Sequence, residues 1–318
     1  MRQLPSARVR PSKAFLHMGI DYAGPVTLKT FQGRGAKTYK GWIAVFVCLA
    51  TSAIHIEIVT DYSTDAFVAA FRRFTSRRGA CSTLYSDCDG TDWKFNPPSA
   101  PHFGGKWEAA VKSIKFHLIR TIGESLLTYD QLTTVLTQIE AVLNSRLIAP
   151  LSEDPADLTA LTPGHFLIGE PLIAVPGPLL LENNTATLSR WQQLQQMFQT
   201  FWTRWSSEYL QRHQSISKWH HPSNIFKVGS LVLLTDERFP PSKWPLARVL
   251  ALHPGRDGLT RVVTLKTATT ELVGPIAKLC VLPIHSPDDN PVDTVASAGE
   301  NVQSRANSLP PENAEPHQ

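Results

Sequence analysis

Residues Trp93 to Ile122 read WKFNPPSAPHFGGKWEAAVKSIKFHLIRTI, passing from strand-like residues through a Pro/Gly turn into an amphipathic helix. Trp107, Val111, Ile114 and Leu118 recur at i, i+4, i+7 and i+11, which makes one apolar stripe bound for a core. The opposite face is polar. At about 100° per residue, Glu108, Lys112 and Lys115 fall within about 60° of one another, so a carboxylate in the first turn lies beside two cations. That pattern suits a metal or phosphate site.

Upstream of this helix, Phe15 to Val26 (FLHMGIDYAGPV) reads as a strand ending at Gly24-Pro25, with Asp21 in its apolar interior. A lone buried aspartate is costly, so Asp21 is either hydrogen-bonded near a strand end or binds a cation. Residues 27 to 40 form a loop or twisted hairpin carrying Lys29, Arg34, Lys37 and Lys40. Two β segments follow, Gly41 to Leu49 nearly all apolar and central, Ala53 to Val59 alternating and half exposed. Ser63-Thr64-Asp65 opens a helix to about Arg73, with Phe67, Ala70, Phe71 and Phe74 on one face. Arg72, Arg73, Arg77 and Arg78 at its other side or end serve stability before any DNA contact. The short segment Cys81 to Ser86 then delivers Asp87. Asp21, Asp87 and Glu108, on two strands and a helix start, are hard oxygen ligands of the kind a two-metal phosphoryl-transfer site requires. With 27 acidic residues in the chain, the pattern alone does not single out this triad.

In the second half, Leu132, Val135, Leu136, Ile139, Val142 and Leu143 mark a helix capped by Thr128, with Glu140 facing solvent. Residues 150 to 178 are a Pro/Gly-rich connector in which Thr162-Pro163-Gly164-His165 forms a tight turn; His165 can be read as a ligand or base, but with no Ser/Cys nucleophile motif nearby a structural role is favoured. Leu188 to Arg212 is a long helix with an aromatic stripe of Trp191, Phe198, Phe201, Trp202, Trp205 and Tyr209. At helical spacing such a stripe is a core or interface face first and a base-stacking face second. Val228 to Leu234, Ala247 to Leu252, Thr260 to Thr267 and Lys278 to Leu282 are short strands, separated by PPSKWP, HPGRDG and VGP turns, that suggest a small barrel. Residues 285 to 318 hold six acids and one arginine, so the formal charge of +4 conceals +9 on residues 1 to 284. Such a balance fits a polyanion partner. The tail is poor in large apolar residues and reads as disordered. Cys48, Cys81, Cys88 and Cys280 show neither a CxxC pair nor paired histidines, and are read as reduced thiols. The absence of an 18-residue apolar run or a signal-like start leaves an intracellular protein, nuclear or cytoplasmic, without membrane association.

GIDYAGP around Asp21, YSDC around Asp87 and WKFNPPSAPHFGGKWEAAVKSIK around Glu108 together resemble the integrase core of BEL/Pao-type LTR retrotransposons. The resemblance continues through LLTYDQLTTVLTQIEAVLNSRLIAPLS and ALTPGHFLIGEPL and covers about residues 4 to 284. It implies an α/β, RNase H-like mixed sheet with flanking helices, followed by a long helix and a small SH3-like β-barrel whose start is seen in KVGSLVLL and WPLARV. The implied organisation is a basic arm (1–14), a catalytic core (15–150), a connector (151–187), a helix-plus-barrel domain (188–284) and an acidic tail (285–318). The implied activity is DNA strand transfer with Mg2+ or Mn2+ held by Asp21, Asp87 and Glu108, acting on element ends and target duplex as a homo-oligomer. Lys112, Lys115, Lys243, Arg248 and Lys266 are the expected phosphate contacts, with Lys227, Arg238, Arg256, Arg261 and Lys278 adding to a basic surface.

The sequence departs from that pattern at one place. Only Cys88 to Thr91 separate Asp87 from the strand-like Asp92 to Asn96, and Glu108 follows Asp87 by 21 residues. In the RNase H-like fold the two strands are parallel neighbours, and a parallel crossover needs about 10 to 12 residues. Either a deletion at Cys88-Asp89 impairs the triad, or the gene product as written lacks sequence that the active element has. The readings that remain open are an integrase-like enzyme, a catalytically dead nucleic-acid- or protein-binding remnant, and an RNase H-type nuclease.

Overall fold

The apolar run ending at Leu49 is central because both of its faces are covered. The computed structural model describes residues 11–86, 105–123, 125–152, 154, 156–220, 226–235 and 241–282, without the side chains of 105–110 and 212–220. Strand β2 (Thr38–Cys48) lies antiparallel between β1 (His17–Lys29) and β3 (Ile54–Val59). On its other side β1 pairs in parallel with β4 (Thr83–Ser86), and the two-residue β5 (Leu127–Thr128) meets β1 at Leu28 and Lys29. The sheet is therefore mixed, as expected, and its order is β3-β2-β1-β4.

Alternation along β2 sorts its residues between two cores. Ala44, Phe46 and Cys48 join Phe15, Met18 and Ile20 under helix α1 (Thr64–Arg78), which contributes Ala70 and Phe74. Ile43, Val45 and Val47 face the other way, toward α2 (Gly105–Ile122) and α3 (Tyr129–Asn144). The stripe expected on α2 is there, with Val111, Ile114 and Leu118 buried; the side chain of Trp107 lies outside the described residues. Ser63 caps α1 by accepting from the Ala66 N–H at 3.2 Å. Thr128 and Gln131 form a reciprocal capping box on α3.

Strand β1 does not stop at Gly24-Pro25 but runs on to Lys29 through a bulge between Ala23 and Val26. The bulge takes Pro25 out of the ladder, where its missing N–H costs nothing, and Gly24 supplies the φ of 129°. The extra residue also resets the alternation, so Ala23, Val26 and Leu28 all point into the same core.

Strand β3 is fully buried rather than half exposed, although it is an outer strand of the sheet. Its free edge is closed by side chains. The Ile54 N–H donates to Asn144 Oδ1 at 2.8 Å, and Asn144 Nδ2 donates back to the Ile54 carbonyl at 2.7 Å. The Ile56 N–H donates to the Glu140 carboxylate at 2.9 Å, and Arg73 donates to the Ile58 carbonyl at 3.0 Å. Edge groups that would otherwise template another strand are thereby satisfied within the chain. Glu140 is thus not solvent-facing but buried. The periodicity of α3 marks its apolar stripe and carries no sign of a strand edge beside it.

The second half builds on this core. The two-residue β6 (Ala149–Pro150), just ahead of the connector, pairs with β7 (Ala160–Leu161) inside it, and the short α4 (His165–Ile168) follows. Helix α5 (Arg190–His220) extends beyond the expected Arg212. Its Leu194, Phe198, Phe201, Trp202 and Trp205 pack with Val45, Val111 and Leu136, while Trp191 is 57% exposed and off the stripe. The final sheet, β8 (Leu231–Leu234), β9 (Leu246–Pro254), β10 (Thr260–Lys266), β11 (Glu271–Pro275) and β12 (Leu279–Val281), is antiparallel in the order β11-β10-β9-β8-β12. Strand β11 occupies the stretch expected to be a VGP turn. The reversal instead falls at Thr267 to Thr270, where the Thr267 N–H donates to the Thr270 carbonyl at 2.9 Å. Among the described residues no pairing joins β11 to β12.

Candidate functional site

Alternation along β1 fixes where Asp21 points. Met18 and Ile20 face α1, so Gly19 and Asp21 face the side of α2. The Lys115 ammonium on α2 pairs with Asp21 Oδ2, and the Tyr22 N–H donates to Oδ1 at 2.7 Å. Both side chains keep an opening to solvent, at 32% for Asp21 and 27% for Lys115. Of the two possibilities the sequence leaves for Asp21, the structure shows the hydrogen-bonded carboxylate, paired with a lysine of the neighbouring helix.

Neighbouring strand β4 runs parallel, with Met18 opposite Leu84 and Ile20 opposite Ser86. The last register pair thus consists of the residues immediately before Asp21 and Asp87 in the chain. Glu108 belongs to the first turn of α2, three residues into the helix that presents Lys115. Asp87, the Cys88-Asp89 junction, the segment Asp92 to Asn96 and the side chain of Glu108 lie outside the described residues. Among the described residues no three acids, histidines or cysteines gather as a metal site.

Helix α2 is fixed from behind by α5. His117 is buried and its Nε2 pairs with the Glu208 carboxylate, and Ser113 Oγ donates to Glu208 Oε1 at 3.1 Å. Because Ser113 and His117 bracket Lys115 in sequence, this contact sets the rotation that aims Lys115 at Asp21.

The expected phosphate contacts divide. Lys112 is exposed on α2, Lys266 is exposed on β10 and Lys243 is exposed just ahead of β9. Arg248 requires a correction: it is 3% exposed and donates to the carbonyls of Gly229 (2.8 Å), Ser152 (3.2 Å) and Asp157 (2.6 Å). It fastens the connector to the last sheet, because three inward carbonyls accept from the two terminal nitrogens of a guanidinium that pleat parity turns away from solvent, while its buried Nε has no partner among the described residues. Arg261 is engaged by Asp257 in a two-point pair at 3.0 and 2.6 Å. Arg238 lies outside the described residues. His165 is part of its own turn, its Nδ1 accepting from the Thr162 N–H at 3.0 Å.

Sequence reasoning missed a buried charge cluster at the β3 edge. His55 stands between Glu57 and Glu140, 3.2 Å from each, and Arg73, Arg77 and Arg78 of α1 close on the same two carboxylates at 2.6 to 2.9 Å. Burial pulls the His55 pKa down, but hydrogen bonds to Glu140 and Glu57 outweigh it and the net direction is up. Burial pushes Glu57 up, while His55 and Arg73 pull it further the other way, so its pKa lies below the ordinary value. The available signal was IHIEIV itself, in which two polar groups alternate with isoleucines opposite four nearby arginines.

Among the described residues no helix is long and apolar enough to cross a membrane. No curated protein matches the chain. Among solved structures, the chain is similar to the cryo-EM structure of the simian T-cell lymphotropic virus intasome in complex with PP2A regulatory subunit B56 gamma, at 10% identity and a TM-score of 0.35, covering 90% of this chain and 85% of that one. A likeness that slight carries no argument about the site. Residues 189–282, comprising α5 and the last sheet, match the profile of DUF5641, a family of unknown function.

Proposed function

We propose that this chain is an integrase-like DNA-binding protein, with a site for metal-dependent strand transfer built on Asp21, Asp87 and Glu108. The observation that carries the reading is the convergence of three elements on Asp21. Lys115 reaches it from the helix that bears Glu108. The parallel strand beside it ends at Ser86, one residue short of Asp87. The resemblance to BEL/Pao-type integrases names the same three acids. The half-exposed Asp21 carboxylate is a hard oxygen ligand of the kind Mg2+ or Mn2+ takes, and a metal there would share it with the Lys115 ammonium. Asp21, Asp87 and Glu108 would hold the metal, which would supply Lewis-acid activation of the attacking and leaving oxygens. Lys115 holds Asp21 in place and, with Lys112 one turn earlier, would bind the flanking phosphates. DNA, as element end and target duplex, is the proposed partner, bound by an assembly of several copies.

The test is joining of a labelled donor duplex to target DNA in Mg2+ or Mn2+. Wild-type protein should join the ends, and Asp21→Asn should reduce joining at least a hundredfold while duplex affinity stays within about threefold. Duplex binding without joining would overturn the enzymatic reading. It would leave the second one, a DNA-binding remnant, which the Lys115–Asp21 pair and the four-residue Cys88 to Thr91 junction favour. Cleavage of RNA–DNA hybrids without joining would point to a nuclease.

A further inference from the structure

Between α5 and the last sheet lies a cavity of about 570 Å3, within the range of small-molecule sites. Its wall combines Trp202 and Trp244 with the cations Arg204 and Lys243 and the hydroxyls of Ser207 and Thr235. None of the described residues lining it is acidic. Trp244 is held rigid, its ring 4.9 Å from Trp202 and 65° to it, 6.1 Å from Trp205 and 5.3 Å from Tyr209. Its Nε1–H is buried with no acceptor among the described residues, although a buried donor is ordinarily paired. Arg204 and Lys243 are exposed, and among the described residues Arg204 has only a long contact to the Arg120 carbonyl, 3.3 Å.

A fixed indole beside exposed cations and hydroxyls is the chemistry that holds an unpaired base and its phosphate. Duplex DNA cannot offer a base face to a cavity, whereas a single-stranded end can. We propose that this cavity takes an unpaired nucleotide of a DNA strand end, its base against Trp244 and its phosphate on Arg204 and Lys243. Neither Asp21 nor Lys115 lines it, and it makes the second half a reader of frayed or overhanging ends. It rests on the DNA-binding reading, but not on strand transfer.

The experiment compares the full chain binding three probes of equal length: a single-stranded oligonucleotide, the same backbone with abasic positions, and a blunt duplex. Equal charge cancels the phosphate contribution between the first two, so their ratio reads base stacking. The base-bearing strand should bind about tenfold tighter than the abasic one. Ser207→Trp, which fills the cavity from an exposed position on α5, should erase that ratio and leave duplex binding unchanged. Lys243→Ala should weaken base-bearing and abasic strands alike and flatten the salt dependence by about one unit of slope. Equal binding of the two single strands by wild-type protein, or a ratio that survives Ser207→Trp, would overturn the proposal while leaving duplex binding, and the reading built on it, intact. Absence of duplex binding with the single-strand ratio preserved would sink the integrase reading and keep the nucleotide site.

Discussion

At the scale of single residues, Asn144 and His55 show how much depends on side chains that complete the backbone. Asn144 is fully buried and serves both polar groups of Ile54. Asn144→Leu would leave a buried donor and a buried acceptor unpaired, a loss of roughly 2–4 kcal/mol that urea unfolding should register. His55 carries a pH dependence whose sign follows from its raised pKa. The imidazolium's contribution is complete below the ordinary value of 6.5 and is lost as pH rises through the higher folded value. The thermal midpoint should therefore fall on going from pH 6.5 into the alkaline range, and His55→Gln should flatten that fall. Glu57 acts in the opposite window. Its contribution is present above 4.5 and is lost as pH falls through its lowered folded value. The two together make neutral to mildly acidic pH the range in which the β3 edge is best held.

At the scale of elements, α5 does two jobs that its sequence presents as one stripe. Phe201 is fully buried among the core residues of the sheet, so Phe201→Ala should cost about 3–5 kcal/mol and register as a large drop in the urea midpoint. Glu208, one turn beyond Trp205, instead holds His117 and Ser113 of α2. Glu208→Gln should leave the fold in place and slacken α2, which strand-joining assays would read as a larger loss than duplex-binding assays. The stripe of α2 was readable at i, i+4 and i+7 because one helix face meets one sheet face. The arginines of α1 were not, since nothing local in TDAFVAAFRRFTSRR shows that Glu57 and Glu140 wait opposite them.

At the scale of the whole molecule, the charge of residues 1 to 284 is divided between structure and surface. Arg248 is spent on three carbonyls, and Arg73, Arg77 and Arg78 on two glutamates. Lys112 and Lys266 remain exposed. Lys112→Ala and Lys266→Ala should each lower the slope of log affinity against log salt by about one, with little change in stability. Arg248→Ala should do the reverse, costing about 2–3 kcal/mol of stability and leaving the salt slope of the folded protein unchanged.

By itself the sequence determined what repeats or runs locally. The apolar β2, the stripes of α2, α3 and α5, the caps at Ser63 and Thr128, and the acids Asp21 and Glu108 on a strand and a helix start all follow from period and propensity. Only the tertiary structure decided which polar groups meet. It turned Asp21 toward Lys115, Glu140 and Asn144 onto the β3 edge, and Arg248 inward. The reason is physical: hydrophobic periodicity is written along one segment, whereas the partner that stabilises a buried charge or backbone group comes from another segment, in these cases 19 to 96 residues away.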